Sequence, residues 1–345
     1  LTSKNKLSSI ASAGSFQYLR KESEELCGQW EQQIVAFRFQ RKMLNYCQLK
    51  KKMLRHNRAQ IYMHLSIFLW GFTGVLGRGI SLSEGVLVWW RMLLVCVSLG
   101  AQMWWWRKSL KISGKQLLQM ASVGTLLMIH WLFFYGAIKY SNVSVTLSCF
   151  STTSLFTALL EPLLTKKKFS ISEIGFSLLG MVGIGFIFFD GSHFALGIFL
   201  AVTAAFLGSF FNILNKNIVK ELSPDLVSFY EMTSGFVVLT LFLPLYLFLF
   251  PNTPFFPTAS DWFLLMVLAF LCTHIALILS LAALKELSAF TLNLAVNLEP
   301  VYGIILAFIF FNENRFLGIN FYIGSAIVLL SVLLHTWYSG VRSHD

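Results

Sequence analysis

The chain has 345 residues, 56% of them hydrophobic and only 12% charged, with 34 Phe, a composition that excludes an ordinary soluble domain. Its formal charge of +11 is concentrated: residues 1–58 hold 12 Lys/Arg against 4 Glu, while the remaining 287 hold 15 basic and 12 acidic residues. No aromatic-basic platform or reader motif accompanies that charge, so it reads as a topology signal or a contact with anionic membrane lipid, and nucleic acid is set aside as a partner.

In chain order, residues 1–58 come first as a basic N-terminal arm. It has no apolar core followed by a small-residue cleavage site and so is no secretory signal. Met43 and Met53 lie just before the apolar region, and the arm is expected to be poorly ordered or an upstream extension of the start site, dispensable in either case. Ten apolar stretches follow: 60–80, 84–106, 117–138, 142–164, 171–189, 194–215, 225–250, 261–284, 288–311 and 317–338. At 1.5 Å per residue each is about long enough to cross a hydrocarbon core of ~30 Å as a helix. Backbone groups in lipid must be satisfied within the segment, which selects helices over open strands. The expected fold is an all-α polytopic membrane protein of ten transmembrane helices.

Positive charge sets the expected orientation. With the N-terminus inside, alternate loops carry Arg107, Lys108, Lys111 and Lys115, then Lys166, Lys167 and Lys168, then Lys216 and Lys220, then Lys285, and last Arg342. That is 11 basic residues against Arg78, Lys139 and Arg315 on the other side, which predicts both termini in the cytoplasm of a bacterial inner-membrane protein.

The stretches fall into two similar blocks. Residues 83–92 align with 223–232 at an offset of 140, placing Arg91 opposite Glu231; residues 135–139 align with 281–285 at an offset of 146, placing Lys139 opposite Lys285. Blocks of five spans must sit in the membrane with opposite orientation, which is the inverted-repeat design of alternating-access carriers. The predicted organisation is the arm at 1–58, a first five-helix repeat at 59–192, a second at 193–338 and a short cytoplasmic tail at 339–345.

Several of these segments resemble a known family. Segment 288–307, with Asn293, Asn297 and Glu299-Pro300, ends in a span followed by Glu313, and its counterpart carries Glu161-Pro162 before Lys166, Lys167 and Lys168. Together with Trp70-Gly71, Gly74, Gly77 and Arg91, these are similar to EamA-like proteins of the drug/metabolite transporter superfamily. The resemblance covers about 60–338 and implies ten spans in two five-helix repeats. The first repeat departs from it in having lysines where the second has Glu313.

Charges and amides inside spans are costly unless they face protein or water, so they are the candidate pathway residues. Arg91 lies eight residues into its span, Glu231 holds the equivalent position of the other repeat, and the two are read either as a charge pair or two gates around a central cavity, or as snorkelling side chains. Thr146, Phe150, Thr153, Thr157 and Glu161 recur at helical spacing and form one stripe, either lining a pathway or bonding to their own backbone. In the ninth span Asn293 and Asn297 are an i, i+4 pair and Glu299 precedes Pro300, whose missing donor opens a polar notch. Glu299 aligns with Thr153 and is expected to face the space between the repeats, able to bind a cationic group or carry a coupling proton. Asn212 and Asn215 share a face, His130 and His274 are lone intramembrane histidines, and Trp70 is either an interfacial anchor or a cavity wall.

The functional expectation is a secondary transporter, gradient-driven or facilitated, of a small organic metabolite such as an amino acid, with a proton or sodium ion as coupling ion. No Walker A pattern or soluble nucleotide domain is visible. No catalytic residue, metal or cofactor is expected, since cysteines and histidines are scattered and no CxxC occurs. The competing readings are an intramembrane enzyme on a lipid-linked substrate and a non-transporting scaffold or channel; substrate, direction and oligomeric state stay open.

Overall fold

The computed structural model describes residues 53–166, 169–190, 194–296, 298–315 and 317–342, with Met43, Tyr46 and Lys50. All regular structure among the described residues is helical. The chain divides into two units, Leu1–Asn57 and Arg58–Asp345, and apart from the first residues of α1 the helices below belong to the second. The expectation about the basic arm lies almost wholly outside the described residues.

Among the described residues, eight helices are long and apolar enough to cross a membrane: α1 (Met53–Gly79), α2 (Glu84–Trp105), α3 (Gly114–Tyr140), α4 (Val143–Thr165), α6 (Ala195–Glu221), α7 (Pro224–Leu249), α8 (Ala259–Glu286) and α9 (Ala289–Phe311). Helices α5 (Ile171–Asp190) and α10 (Ile319–Arg342) carry shorter apolar stretches, Ile174–Ile187 and Ile319–Ser331. Eight of the ten expected spans therefore qualify by length and composition.

Local chemistry sets the helix starts. Ser113 and Gln116 form a capping box at α3, the Gln116 amide donating to Ser113 Oγ at 3.2 Å and the Ser113 amide to Gln116 Oε1 at 2.9 Å. Thr258 and Asp261 repeat the device at α8, and Asp261 also accepts from the Ser81 amide at 2.7 Å and hydroxyl at 2.6 Å, tying the α1–α2 turn to α8. Pro224 opens α7, where its missing N–H costs nothing.

Helices α4 and α9 are broken at equivalent places. Ser151 and Thr152 separate Val143–Phe150 from Thr153–Thr165. Hydroxyls at the break bond carbonyls three residues back, Thr152 Oγ1 to Cys149 at 2.7 Å and Thr153 Oγ1 to Phe150 at 2.6 Å, in competition with the helical ladder. In α9, Ala289–Val296 is separated from Glu299–Phe311 beside Pro300. At the 146-residue offset the two breaks coincide, and so do the two left-handed C-caps, Lys166 (φ 58°) and Asn312 (φ 52°). The break divides the expected hydroxyl stripe, and the backbone-bonding alternative holds for Thr153 and Thr157, whose hydroxyls donate to Phe150 O and Thr153 O. Thr146 and Phe150 lie on one piece of α4, and Thr153, Thr157 and Glu161 on the other.

The first piece of α4 packs on the second piece of α9, and the second piece of α4 on the first of α9, so the two run antiparallel with their breaks adjacent. Glu313, just after α9, locks this pair. Its carboxylate accepts from the amides of Val143 at 3.0 Å and Ser144 at 2.9 Å and from the Ser144 hydroxyl at 2.6 Å, capping the positive end of α4. Position 167, its counterpart in the first repeat, lies outside the described residues.

Glycine lets two other helix pairs touch backbone to backbone. A Cβ on Gly124 of α3 would sit 2.1 Å from the Glu231 carbonyl oxygen of α7, and one on Gly183 of α5 would sit 2.6 Å from the Gly324 carbonyl of α10. The outer surface is apolar, with Leu241, Phe242, Phe248, Ile309 and Phe310 exposed, whereas Arg91, Glu231, Asn293 and Glu299 are buried. Polar inside and apolar outside is the distribution lipid demands.

Candidate functional site: a central polar cavity

The residues flanking both breaks, Phe150 and Thr153 of α4 and Val296 and Glu299 of α9, line one cavity. Helices α1, α2, α3, α6 and α8 close it through Trp70, Arg91, His130, Asn212 and Thr273. Its space for the centres of water molecules is about 80 Å³. One water needs roughly 10–15 Å³ on that measure, so there is room for several waters or a small organic solute. Trp131, Phe134 and Phe211 make much of the remaining wall apolar.

Arg91 is held from three directions. Its Nε donates to Thr273 Oγ1 at 2.7 Å and its Nη1 to Tyr135 Oη at 2.7 Å, and the guanidinium lies 3.7 Å from the Trp131 ring centroid. At 2% exposure it does not snorkel. Two of the five guanidinium donors are used, leaving a fork able to meet a carboxylate. The turn of α8 that carries Thr273 is a π-helix, Phe270–Ile275, and the Thr273 hydroxyl donates five residues back to Leu268 O at 2.7 Å while accepting from Arg91. A π-turn shifts side chains relative to an α-helix, and here it brings Thr273 to the guanidinium.

Across the cavity, Glu299 (4% exposed) faces the Thr73 hydroxyl of α1 and lies within electrostatic reach of Arg91 without an ion pair between them. The site thus carries one cationic and one acidic group on different helices, each with capacity left over.

Amides bridge the remaining helices. Asn212 Nδ2 of α6 donates to Asn293 Oδ1 of α9, and Asn293 Nδ2 donates to Thr157 Oγ1 of α4 at 2.8 Å. The Thr157 hydroxyl donates to Thr153 O at 2.7 Å and lies 3.1 Å from Ser209 Oγ. His130 Nδ1 donates to the Ala204 carbonyl at 2.8 Å, which fixes that ring against α6. His274 lies elsewhere and is satisfied by Ser98 at 2.6 Å and Gln102 at 2.5 Å.

A sequence profile described as the EamA-like transporter family matches residues 57–189 and again 195–337. The chain belongs to the EamA-like transporter family. It is an integral membrane protein of that type. A Bacillus subtilis (strain 168) protein named "Uncharacterized transporter YxxF" is 24% identical over 262 residues, covering 73% of this chain and 81% of that protein. A Clostridium kluyveri (strain ATCC 8527) protein named "Uncharacterized transporter" is 23% identical over 249 residues, covering 69% and 78%. A solved crystal structure shares the fold with a TM-score of 0.59 at 15% identity, covering 81% of this chain and 96% of the other.

Of the residues singled out from sequence, Trp70, Arg91, His130, Thr153, Asn212, Asn293 and Glu299 line this EamA-like cavity, and Thr157 stands directly behind it. Asn297 lies outside the described residues. Glu231 is not in the lining and makes no charge pair with Arg91, which overturns that reading of the two; it is also fully buried, so it does not snorkel. Thr73, Trp131, Tyr135 and Thr273 were missed. Trp131 and Tyr135 stand at i, i+4 on one face of α3, a spacing that suits an aromatic seat for a buried cation. Thr273 had no sequence signal, because its position depends on the π-turn.

Proposed function

We propose that this EamA-like protein is a secondary transporter of a small zwitterionic metabolite, an amino acid or related compound, working by alternating access between two inverted five-helix repeats. The observation that carries the substrate class is the cavity's charge plan. Arg91 offers unused donors to a carboxylate, Glu299 offers an acceptor to an ammonium, and no ion pair between them has to be broken first. Aromatic walls suit the remainder of such a solute. Broken helices meeting at a midplane site recur in carriers, where irregular backbone is tolerated because it faces a cavity.

Ten spans with both termini inside complete the proposal, supported by the excess of basic residues in alternate loops. Reporter fusions after Lys220 are expected to read as cytoplasmic and fusions within 251–260 as external. Both reading on the same side overturns the inverted arrangement.

The decisive experiment is flux into proteoliposomes, using a panel of common amino acids with imposed proton or sodium gradients. Saturable movement of at least one amino acid above protein-free vesicles is expected. Folded protein that moves none of them refutes the substrate assignment.

A further inference from the structure

Glu231 lies apart from the cavity, and its surroundings are unusual for a carboxyl. The residue is 0% exposed on α7, its backbone pressed against Gly124 of α3, and its carboxyl faces Asn215 of α6, also 0% exposed. Neither carboxyl oxygen completes a hydrogen bond, and neither does either amide atom of Asn215. One turn back on α7 the buried Ser228 hydroxyl is likewise without a partner, and Asp225 lies a further turn back, in the first turn of the helix. On α6, Asn215 is three residues from Asn212, which lines the cavity and has an unpartnered Oδ1. Polar side chains thus occur at intervals between the start of α7 and the cavity, with Glu231 and Asn215 between them.

No charged group faces Glu231 among the described residues. Helix α3 presents glycine backbone, α6 presents Asn215, and α2 presents Met92 where it crosses the Gly235 turn of α7. Arg91 of α2 is engaged by Thr273 and Tyr135, Lys216 of α6 donates to the Leu284 and Leu287 carbonyls at the end of α8, and Asp225 is paired with Lys108. An ionised carboxylate here has no counter-charge and offers Asn215 Oδ1 no donor. A neutral carboxyl facing a primary amide can donate to its oxygen and accept from its nitrogen, satisfying both groups in one ring.

We propose that Glu231 and Asn215 form a proton-binding site distinct from the central cavity, connected to it through Asn212. Loading adds a proton from water at the Asp225 end to a Glu231 oxygen. Release returns that proton to water in the cavity when α6 and α7 shift and the ring opens. The role as coupling site rests on the transporter reading, whereas the proton site itself does not.

Infrared difference spectra of the reconstituted protein across pH jumps, in light and heavy water, test the assignment. A deuterium-sensitive carbonyl band of a neutral carboxyl is expected in wild type, absent in Glu231→Gln and retained in Glu299→Gln. Asn215→Ala is expected to keep the band but shift it upward in frequency as the ring is lost, a readout that survives if Glu231→Gln folds poorly. A band unchanged in Glu231→Gln overturns the proposal. So does a site that answers to added sodium at fixed pH instead of to pH. Wild-type protein that moves no amino acid would refute the substrate assignment while leaving the band intact, so the two failures are separable.

Discussion

Replacing Glu299 with Gln is expected to cut amino-acid flux by at least about tenfold, with the protein still inserted and folded. Glutamine keeps the size and planar shape of the side chain beside Thr73, whose hydroxyl donates to the Trp70 carbonyl at 2.7 Å. It cannot pair with an ammonium as a charge or carry a proton between carboxyl and carboxylate. A charge-assisted hydrogen bond is worth about 1.5–3 kcal/mol, and each ~1.4 kcal/mol is a factor of ten. Initial rates in proteoliposomes over a pH series are the measurement, with size-exclusion profiles as the folding control. Wild-type rates at every pH would remove Glu299 from the pathway and leave it a structural residue packed against α1.

Substituting Gly124 with Ala is expected to destabilise the protein by about 1–3 kcal/mol, the usual range for forced overpacking, seen as a fall of several degrees in the thermal midpoint in detergent. The added Cβ meets backbone rather than a mobile side-chain tip: the Glu231 carbonyl oxygen at 2.1 Å, its carbon at 2.7 Å and its Cα at 2.8 Å. Helices α3 and α7 must then separate, and the Glu231 backbone moves with them. Gly185→Ala in α5 is the control, because nothing lies within 4 Å of a Cβ there and alanine is the better helix former. Equal midpoints for the two variants would show that the α3–α7 crossing yields without cost.

The helical fold was legible, with eight of the ten apolar stretches long and apolar enough to span, because lipid imposes one requirement, internal satisfaction of the backbone, that composition alone reveals. The duplication was legible in the same way, and the coincident breaks of α4 and α9 agree with its 146-residue offset. Seven of the ten candidate pathway residues line one cavity because a polar group inside a span has few other places to go. Glu313 was visible as an acid after the ninth span, but its work as a cap on α4 was not, since the capped amides lie about 170 residues earlier in the chain.

Other features depended on the assembled structure. Arg91 and Glu231 occupy equivalent positions in the repeat, yet Arg91 turns into the cavity against Trp131, Tyr135 and Thr273 while Glu231 faces Asn215 between helices. Their sequence neighbourhoods do not separate these outcomes. The hydroxyl stripe of α4 obeyed helical periodicity on paper and was split by its own hydroxyls bonding back to the chain. The sequence by itself determined which segments enter the membrane and which polar groups go with them, because burial in lipid acts on each segment alone. Only the tertiary structure decided which of those groups meet, because a helix's rotation, its breaks and its glycine contacts are set by the neighbours it packs against.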